Sequence, residues 1–339
     1  MARQATNKLL QKAKKSKSDE FYTQLCDIES ELQHYANCFV DKVVYCNCDD
    51  PKVSNFFRYF KDNFQRLGLR KLIASCFCEA EIDHSNANTM QSAYYCEYEG
   101  DNIPMKVVTL EGNGDFRSTE CVELLQQADI VVTNPPFSLF REFVTQIVHY
   151  NKQFLVIGNV NAITYKEVFP LLMKNEVWLG YGFKGAATHF YSPYDDVATS
   201  GDHKEHMIRV SGVNWFTNLE IPKRNEELDL ICRYSEEEYP SYDNYDAIEV
   251  SKTADIPSDY SGVMGVPITF LDKYCPTQFE LLGITDRGNE YGIKTKEYTP
   301  MDSPKYGDLN RRGAIMVNGV LKSTYARVLI RNKHPHESC

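Results

Sequence analysis

The pentapeptide Thr133-Asn134-Pro135-Pro136-Phe137 combines residue types that could hold and activate an aromatic amine. An amino group on an aromatic ring is a poor nucleophile, because its lone pair is delocalised into the ring. The side-chain oxygen of Asn134 and the carbonyl of Pro135 could accept its two N–H groups, which favours a tetrahedral nitrogen with its lone pair aimed at an electrophile. The Phe137 ring offers a flat surface on which the base could stack. We therefore predict that Asn134, Pro135, Pro136 and Phe137 form a catalytic corner.

An apolar run precedes this pentapeptide and would hold it in place. Asp129-Ile130-Val131-Val132 is typical of a buried parallel strand, and neither following proline has an N–H with which to extend the ladder. The residue before a proline is also held extended. We expect Asn134 at the carboxyl end of a central strand, beside the crevice where open α/β sheets bind ligands. A Pro-Pro strand stop without chemistry is the structural alternative, which this position disfavours.

A strand, a polar turn and a helix follow one another over residues 42–60, an arrangement with which a doubly wound fold binds its cofactor. The turn has no G-x-G-x-x-G segment to cradle a pyrophosphate, which argues against NAD, FAD and ATP. S-adenosylmethionine carries no phosphate, and its sulfonium and ammonium groups could pair with Asp49 or Asp50. Equally, these two acids could cap the following helix.

A second candidate turn, of sequence Gly-Asn-Gly-Asp-Phe, ends at Phe116 and follows a predicted strand at residues 105–110. Asp115 could accept a hydrogen bond from an adenine amino group, and Phe116 could cover the adenine ring. An Asx turn without a ligand is the alternative. A further strand, residues 72–77, precedes Glu79, the nearest acid that could bind a ribose diol.

Strand and helix patterns alternate along the first part of the chain. The last predicted strand of this part follows the end of the alternation, so we expect it to be antiparallel, while residues 81–104 predict a surface loop or small hairpin. The pattern predicts an α/β fold on a mostly parallel, seven-stranded sheet. The seven predicted strands span residues 42–46, 72–77, 105–110, 128–132, 154–158, 177–180 and 212–219, and shorter strands are predicted at 263–271, 279–284 and 326–330.

The composition narrows the class of protein. With 339 residues, 42% of them hydrophobic, the chain is long enough for two domains or for one with an insertion. No apolar run approaches the ~18 residues of a membrane span, the start lacks the core of a signal peptide, and eleven cysteines without secretory context indicate reduced thiols. We expect a cytoplasmic protein that makes no contact with a membrane. No C-x-x-C pair occurs and the Cys-x-Cys spacings suit zinc poorly, so no metal is expected.

The net charge of −10 is unusual for a nucleic-acid binder, but the positive charge is unevenly distributed. Residues 1–18 carry six Lys or Arg and no acid, and the last thirty residues carry six against one acid. A nucleic-acid-binding face is one explanation and solvated termini are the other. The predicted DNA contacts are Lys8, Lys12, Lys14, Lys15, Phe183, Arg311 and Arg312. One of the aromatic residues Tyr181, Phe183 and Phe190 could form a second wall around an extruded base, and Phe183 is the one included among the predicted contacts.

The chain resembles the EcoRI-type DNA adenine-N6 methyltransferases. The resemblance rests on the Asn-Pro-Pro-Phe motif and covers most of the chain, with no clear match in residues 81–104, 182–212 and 286–320. The matching stretches are residues 5–10, 14–24, 43–51, 114–117, 129–140, 163–167 and 262–271.

This resemblance implies a Rossmann-like class I methyltransferase with a C-terminal target-recognition region. It implies methyl transfer from S-adenosylmethionine to adenine N6 in double-stranded DNA by base flipping, in a restriction-modification system where a companion restriction endonuclease could act on the same site. The implied domains are a basic DNA-contacting arm (1–18), a catalytic domain (19–220, with an insertion at 182–212) and a recognition region (221–339), in a monomer. The implied cofactor contacts are Phe21, Tyr22, Thr23, Cys46, Asn47, Asp49, Pro51, Asp115 and Phe116.

Two other functions are compatible with the sequence. An enzyme that methylates RNA or protein glutamine would use the same Pro-Pro-aromatic device, and a non-catalytic DNA-binding protein could retain a methyltransferase scaffold. The basic arm and the family resemblance favour DNA. The intact Asn-Pro-Pro-Phe motif disfavours the non-catalytic alternative.

Overall fold

The computed structural model describes residues 22–78, 92–183, 187–191, 207–286 and 291–336. The predictions for Phe21, for Glu79 and for the lysines of the basic arm lie outside the described residues. The chain divides into two compact units. The first comprises the described residues up to Ala162 together with Val177–Ile221, and the second comprises Ile163–Glu176 and the described residues from Pro222 onward. None of the described helices is long and apolar enough to cross a membrane.

The first unit is built on an eight-stranded sheet. The spatial order of the strands is β4-β3-β2-β1-β5-β6-β10-β7, and β8 and β9 form a separate antiparallel pair. The strands are β1 (Val43–Cys46), β2 (Lys71–Ser75), β3 (Tyr94–Tyr98), β4 (Lys106–Thr109), β5 (Ile130–Thr133), β6 (Gln153–Asn159), β7 (Trp178–Leu179), β8 (Ala187–Tyr191), β9 (Met207–Ser211) and β10 (Val213–Thr217).

The expectation of a mostly parallel, seven-stranded sheet was wrong, because this sheet is mixed. Among the described strands, β1 pairs in parallel with β2 and β5, and β5 with β6, whereas the other four neighbouring pairs are antiparallel. The additional strand is β3, which lies in residues 81–104 and pairs with β2 and β4. The antiparallel entry of β10 beside β6 is confirmed.

Short helices cover this sheet. Ser54 and Ser118 begin two of them, because their hydroxyls accept the N–H groups of Phe57 and Cys121 at 3.1 and 3.3 Å. A left-handed glycine, Gly68, ends a third. The helices are α1 (Leu25–Leu32), α2 (Asn55–Asp62), α3 (Phe64–Leu67), α4 (Thr119–Gln127) and α5 (Phe140–His149), with 3₁₀ turns at Gln33–Phe39 and Val160–Thr164.

The second unit contains a four-stranded sheet of order β11-β12-β16-β13 and a separate hairpin, β14–β15. Its core holds a buried ion pair, in which the Arg327 guanidinium contacts both oxygens of Glu249 and the Tyr242 hydroxyl donates to the same carboxylate. Its elements are α6 (Phe169–Met173), β11 (Ile248–Glu249), β12 (Met264–Pro267), β13 (Phe279–Ile284), α7 (Tyr306–Arg311), β14 (Ala314–Val317), β15 (Val320–Ser323) and β16 (Arg327–Asn332), with 3₁₀ turns at Pro222–Asn225, Thr253–Asp255 and Ile268–Lys273.

One close approach fixes the helix that follows the predicted catalytic corner. Phe140, the first residue of α5, is buried and packs on Phe216 with ring centroids 5.0 Å apart. A Cβ atom on Gly158 of β6 would lie 2.3 Å from the Phe140 ring. Only a residue without a side chain therefore lets α5 lie this close to the sheet.

We predict that Gly158→Ala destabilises the protein by about 1–3 kcal/mol, because the added methyl group overpacks the core against Phe140. Urea unfolding measures the loss. Phe140→Leu in the same chain should recover part of it, while Gly307→Ala, where a Cβ would meet open space, should cost little. Equal costs at Gly158 and Gly307 would contradict this account.

Candidate active site

The Asn-Pro-Pro-Phe motif lies at the carboxyl end of β5, as the sequence predicts. Every residue of β5 is buried, and the chain then turns into α5. The Pro136 carbonyl accepts the Leu139 N–H at 2.9 Å, which closes this turn. Asn134 and Phe137 are both half-buried, so the corner is partly open to solvent.

The residue before the motif joins it to the predicted cofactor turn. Strands β1 and β5 are parallel neighbours, so their carboxyl ends meet at one edge of the sheet. The Thr133 hydroxyl donates to the Asn47 carbonyl and lies 3.3 Å from Oδ2 of Asp49. This contact brings the predicted catalytic and cofactor-binding segments together. Thr133 begins the pentapeptide but is not among the predicted site residues, because its only signal in the sequence is its position at the end of the strand.

The acid at this junction has an unusual environment. Asp49 is 6% exposed, and this burial raises the pKa of its carboxyl to about 8, although hydrogen bonds from Ser54 and Thr133 act in the opposite direction. The neighbouring Asp50 accepts from the Tyr94 hydroxyl and from a backbone N–H. Neither acid caps α2, because the Ser54 hydroxyl does so.

The segment that begins at Tyr22 approaches the same region. The backbone of Tyr22 pairs with that of Tyr191 in β8, and the Thr23 carbonyl accepts from the Asn55 side chain at the start of α2. The Thr23 hydroxyl and the Asn47 side-chain oxygen are buried, and neither has a hydrogen-bond partner among the described residues. The other two predicted contacts of the cofactor turn, Cys46 and Pro51, are buried and half-buried respectively.

The turn that carries Asp115 lies against the end of β2. Gly114 has a φ of +78°, and a Cβ there would lie 2.0 Å from the Cys76 carbonyl, so a glycine is required. Arg117 binds the Asp115 carboxylate through Nε at 2.9 Å and Nη2 at 2.6 Å, which lowers the pKa of that carboxyl. Phe116 is buried with its ring against Phe143. The Asp115 carboxylate is the predicted acceptor for an adenine amino group, and Arg117 already binds both of its oxygens.

A series of aromatic rings extends from the predicted catalytic corner. The Phe137 ring meets Phe190 edge-on with centroids 6.4 Å apart, and Phe190 meets Phe183 at 6.2 Å. Phe183 in turn stacks on Trp215 at 5.7 Å. Tyr181 instead stacks on His34. The structure therefore links Phe183 and Phe190 to Phe137 through ring contacts, and Tyr181 packs against the same hydrophobic cluster.

The described residues of the second unit place the two predicted arginines beside an acid. Nε of Arg311 lies 3.2 Å from Asp286, and Arg312 contacts the same carboxylate. One carboxylate thus offsets part of this positive charge. Across the described ranges of the chain, no three His, Cys, Asp or Glu side chains are grouped to hold a metal ion.

Comparison with known proteins gives the family. The family model described as "Adenine-specific methyltransferase EcoRI" matches residues 9–333. The chain belongs to the EcoRI family of adenine-specific DNA methyltransferases.

Individual relatives agree with this assignment. The chain is 49% identical to the type II methyltransferase M.EcoRI of Escherichia coli, over 98% of this chain and 99% of the relative. It is 38% identical to M.MgeORF184P of Mycoplasma genitalium and to M.MpnI of Mycoplasma pneumoniae, in both cases over 95% of this chain, and over 98% and 97% of the relatives. No solved structure matches the chain.

The buried acid of this methyltransferase predicts a pH dependence of stability. Because the folded pKa of Asp49 lies above its ordinary value, folded Asp49 keeps a proton that the unfolded chain has already released. Its stabilising contribution is full below the ordinary pKa and is lost as the pH rises through about 8. Asp49→Asn removes this titration.

We expect the wild type to lose stability relative to Asp49→Asn as the pH rises from about 5 to about 8, by at most about 1.4 kcal/mol per pH unit. Urea unfolding of both proteins without cofactor, at matched ionic strength, measures the difference. Parallel pH profiles for the two proteins would show that Asp49 is ionised throughout.

Proposed function

We propose that this methyltransferase transfers a methyl group from S-adenosylmethionine to N6 of an adenine extruded from double-stranded DNA, at the corner formed by Asn134, Pro135, Pro136 and Phe137. The observation that carries the proposal is the contact of Thr133 with Asn47 and Asp49. It supports a cofactor site directly beside the residues suited to hold the amine.

The residues around the turn fit S-adenosylmethionine, which when bound supplies a methyl group on a positively charged sulfur. The buried oxygens of Thr23 and Asn47 lack partners among the described residues, and such atoms are costly unless a ligand or water satisfies them. The buried Asp49 carboxyl would ionise more readily beside a cation. The proposed cofactor contacts are Phe21, Tyr22, Thr23, Cys46, Asn47, Asp49, Pro51, Asp115 and Phe116.

The corner would act by holding the base. The Asn134 side-chain oxygen and the Pro135 carbonyl accept the two N–H groups of the adenine amine, and the base stacks on Phe137. Extrusion of the base costs a few kcal/mol, and this contact surface offsets part of that cost. Positioning and fixed dipoles supply most of the acceleration. No general base is required before attack, because the amine becomes acidic only as the new bond forms.

The two units would divide the work. We assign catalysis to residues 19–220, a range that includes the insertion at 182–212. We assign DNA contact to the arm of residues 1–18, and target recognition to residues 221–339. The segment Ile163–Glu176 lies within the proposed catalytic range but packs with the second unit. A companion restriction endonuclease and a monomeric state remain part of this proposal.

The substrate is tested directly with labelled S-adenosylmethionine offered to duplex DNA, RNA and protein. We expect label on duplex DNA and, in long-read sequencing, N6-methyladenine at one short sequence. Label on RNA or protein alone would replace the proposed substrate, and no label on any of the three would leave a non-catalytic DNA-binding protein.

We predict that Asn134→Ala lowers kcat by at least about 10³-fold with the cofactor Kd changed by less than about threefold, because the missing acceptor acts on the amine only during transfer. Asn134→Asp keeps an acceptor oxygen and should retain more activity. Asn225→Ala, at an exposed position, is the matched control. Unchanged turnover in Asn134→Ala would end the proposed mechanism.

The basic arm predicts a salt dependence of DNA binding. Replacement of Lys8, Lys12, Lys14 and Lys15 by Gln should weaken binding and reduce the slope of log K against log salt by up to about 0.9 for each phosphate that the arm no longer neutralises. Because Asp286 already contacts Arg311 and Arg312, replacing both arginines should reduce the slope by only about the value for one phosphate. Filter binding over a range of salt measures both, and a slope unaffected by the lysines would remove the arm from the interface.

A further inference from the structure

A buried carboxylate in the first unit holds the loop of residues 180–183. The sequence points to this loop only through Tyr181 and Phe183, the aromatic residues predicted to form a wall around an extruded base. Glu31 of α1 is 1% exposed. Its Oε1 accepts from the Tyr35 hydroxyl at 2.7 Å and from the Tyr181 N–H at 2.8 Å, and its Oε2 accepts from the Gly182 N–H at 2.9 Å. Burying a charge is costly unless several donors surround it. Here two consecutive backbone amides do so.

The other side chains around this carboxylate fit the same arrangement. Burial and the adjacent Glu31 raise the pKa of Tyr35, so its phenol stays protonated and remains a donor. A Cβ atom on Gly180 would lie 2.2 Å from Oε1 of Glu31, and Gly182 has a φ of +86°. The loop thus approaches the carboxylate as closely as glycine permits.

This loop leads into the aromatic cluster beside the catalytic corner. Phe183 directly follows the two amides bound by Glu31, stacks on Trp215 and meets Phe190. Phe190 in turn meets Phe137 of the Asn-Pro-Pro-Phe motif. A continuous series of contacts therefore runs from the Glu31 carboxylate to the ring proposed to stack on the target base.

The same part of the chain also holds the strand that carries Phe190. The Gln24 side chain donates to the His189 carbonyl at 2.7 Å, and the Thr188 hydroxyl donates to Asp27 at 3.1 Å. Residues on and just before α1 thus hold the backbone next to Phe183, through Glu31, and the strand next to Phe190, through Gln24 and Asp27.

We propose that Glu31 is a positioning residue for base extrusion: it fixes residues 180–183 and thereby holds Phe183 and Phe190 where they support Phe137 and the extruded adenine. The inference rests on the proposed function, because it assigns a role in the proposed base pocket. Glu31 acts through the loop and touches neither the base nor the cofactor.

The test is Glu31→Gln in the full chain. Fluorescence is read on a duplex that carries 2-aminopurine at the mapped target adenine, and kcat is read on the unmodified duplex, because 2-aminopurine has no 6-amino group to methylate. Glutamine keeps the size of the side chain but presents one acceptor oxygen, so one loop amide would face an NH₂ group. We expect the fluorescence rise on binding to fall at least about fivefold and kcat to fall about 10- to 100-fold, with KM for S-adenosylmethionine within about twofold, as for a misplaced pocket wall.

Two controls separate positioning from general stability. Glu29→Gln removes the same charge from the exposed face of α1 and should leave fluorescence and kcat unchanged. Tyr35→Phe removes a buried hydrogen bond to the same carboxylate but leaves both loop amides bound, so it should lower the melting temperature without the fivefold loss of fluorescence. Combined with Phe183→Ala, Glu31→Gln should add little further loss, because both changes act on one wall.

The failures of this inference and of the proposed function are distinguishable. If the wild type gives neither a fluorescence rise on the 2-aminopurine duplex nor methylated product on the unmodified duplex, the proposed function is refuted and the role of Glu31 falls with it. If the wild type extrudes the base and Glu31→Gln does so equally well, or if Tyr35→Phe matches Glu31→Gln in fluorescence and kcat, only the positioning role is overturned.

Discussion

The site depends on one hydroxyl group between the ends of two parallel strands. Thr133 ends β5, and its side chain meets the backbone and the acid of the turn that ends β1. Parallel neighbours bring their carboxyl ends to one edge, where backbone groups no longer pair with each other. A side chain must satisfy them there, and Thr133 does so while it holds the start of the Asn-Pro-Pro-Phe turn in register with Asn47.

This arrangement leaves a buried carboxyl, that of Asp49, at the junction of the two segments, where the proposed cationic cofactor would favour its ionised form. Burial of this carboxyl is unfavourable, and its hydrogen bonds with Ser54 and Thr133 offset only part of that cost. Such a group is understandable at the proposed binding site, because proteins commonly accept a loss of stability for function. The buried oxygens of Thr23 and Asn47 have no hydrogen-bond partner within the described part of the chain, and they fit the same explanation.

Local sequence signals predicted much of the fold and the corner, and non-local contacts explain what they missed. Proline chemistry and β-branched runs mark β5 and its end within a few residues. Strand β3 escaped prediction because its short tyrosine-rich sequence was interpreted as part of a surface loop or hairpin, and only its pairing with β2 and β4 places it inside the sheet. The bond from Thr133 to Asn47 spans 86 residues and that from Tyr181 to Glu31 spans 150, so no window of sequence contains either. Charge alone likewise could not show that Asp286 accompanies Arg311.

Strand β3 lies between β2 and the strand that ends the described sheet on this side. That border strand is β4, which is only four residues long and begins at Lys106. Lys106 pairs with Glu97 of β3 at 3.2 Å, which places one ion pair at the start of this border. Short, charged outer strands offer a poor template for a strand from another molecule. Strand β3, which pairs antiparallel with both of its neighbours, thus leaves this end of the described sheet with a border strand too short to offer a long template.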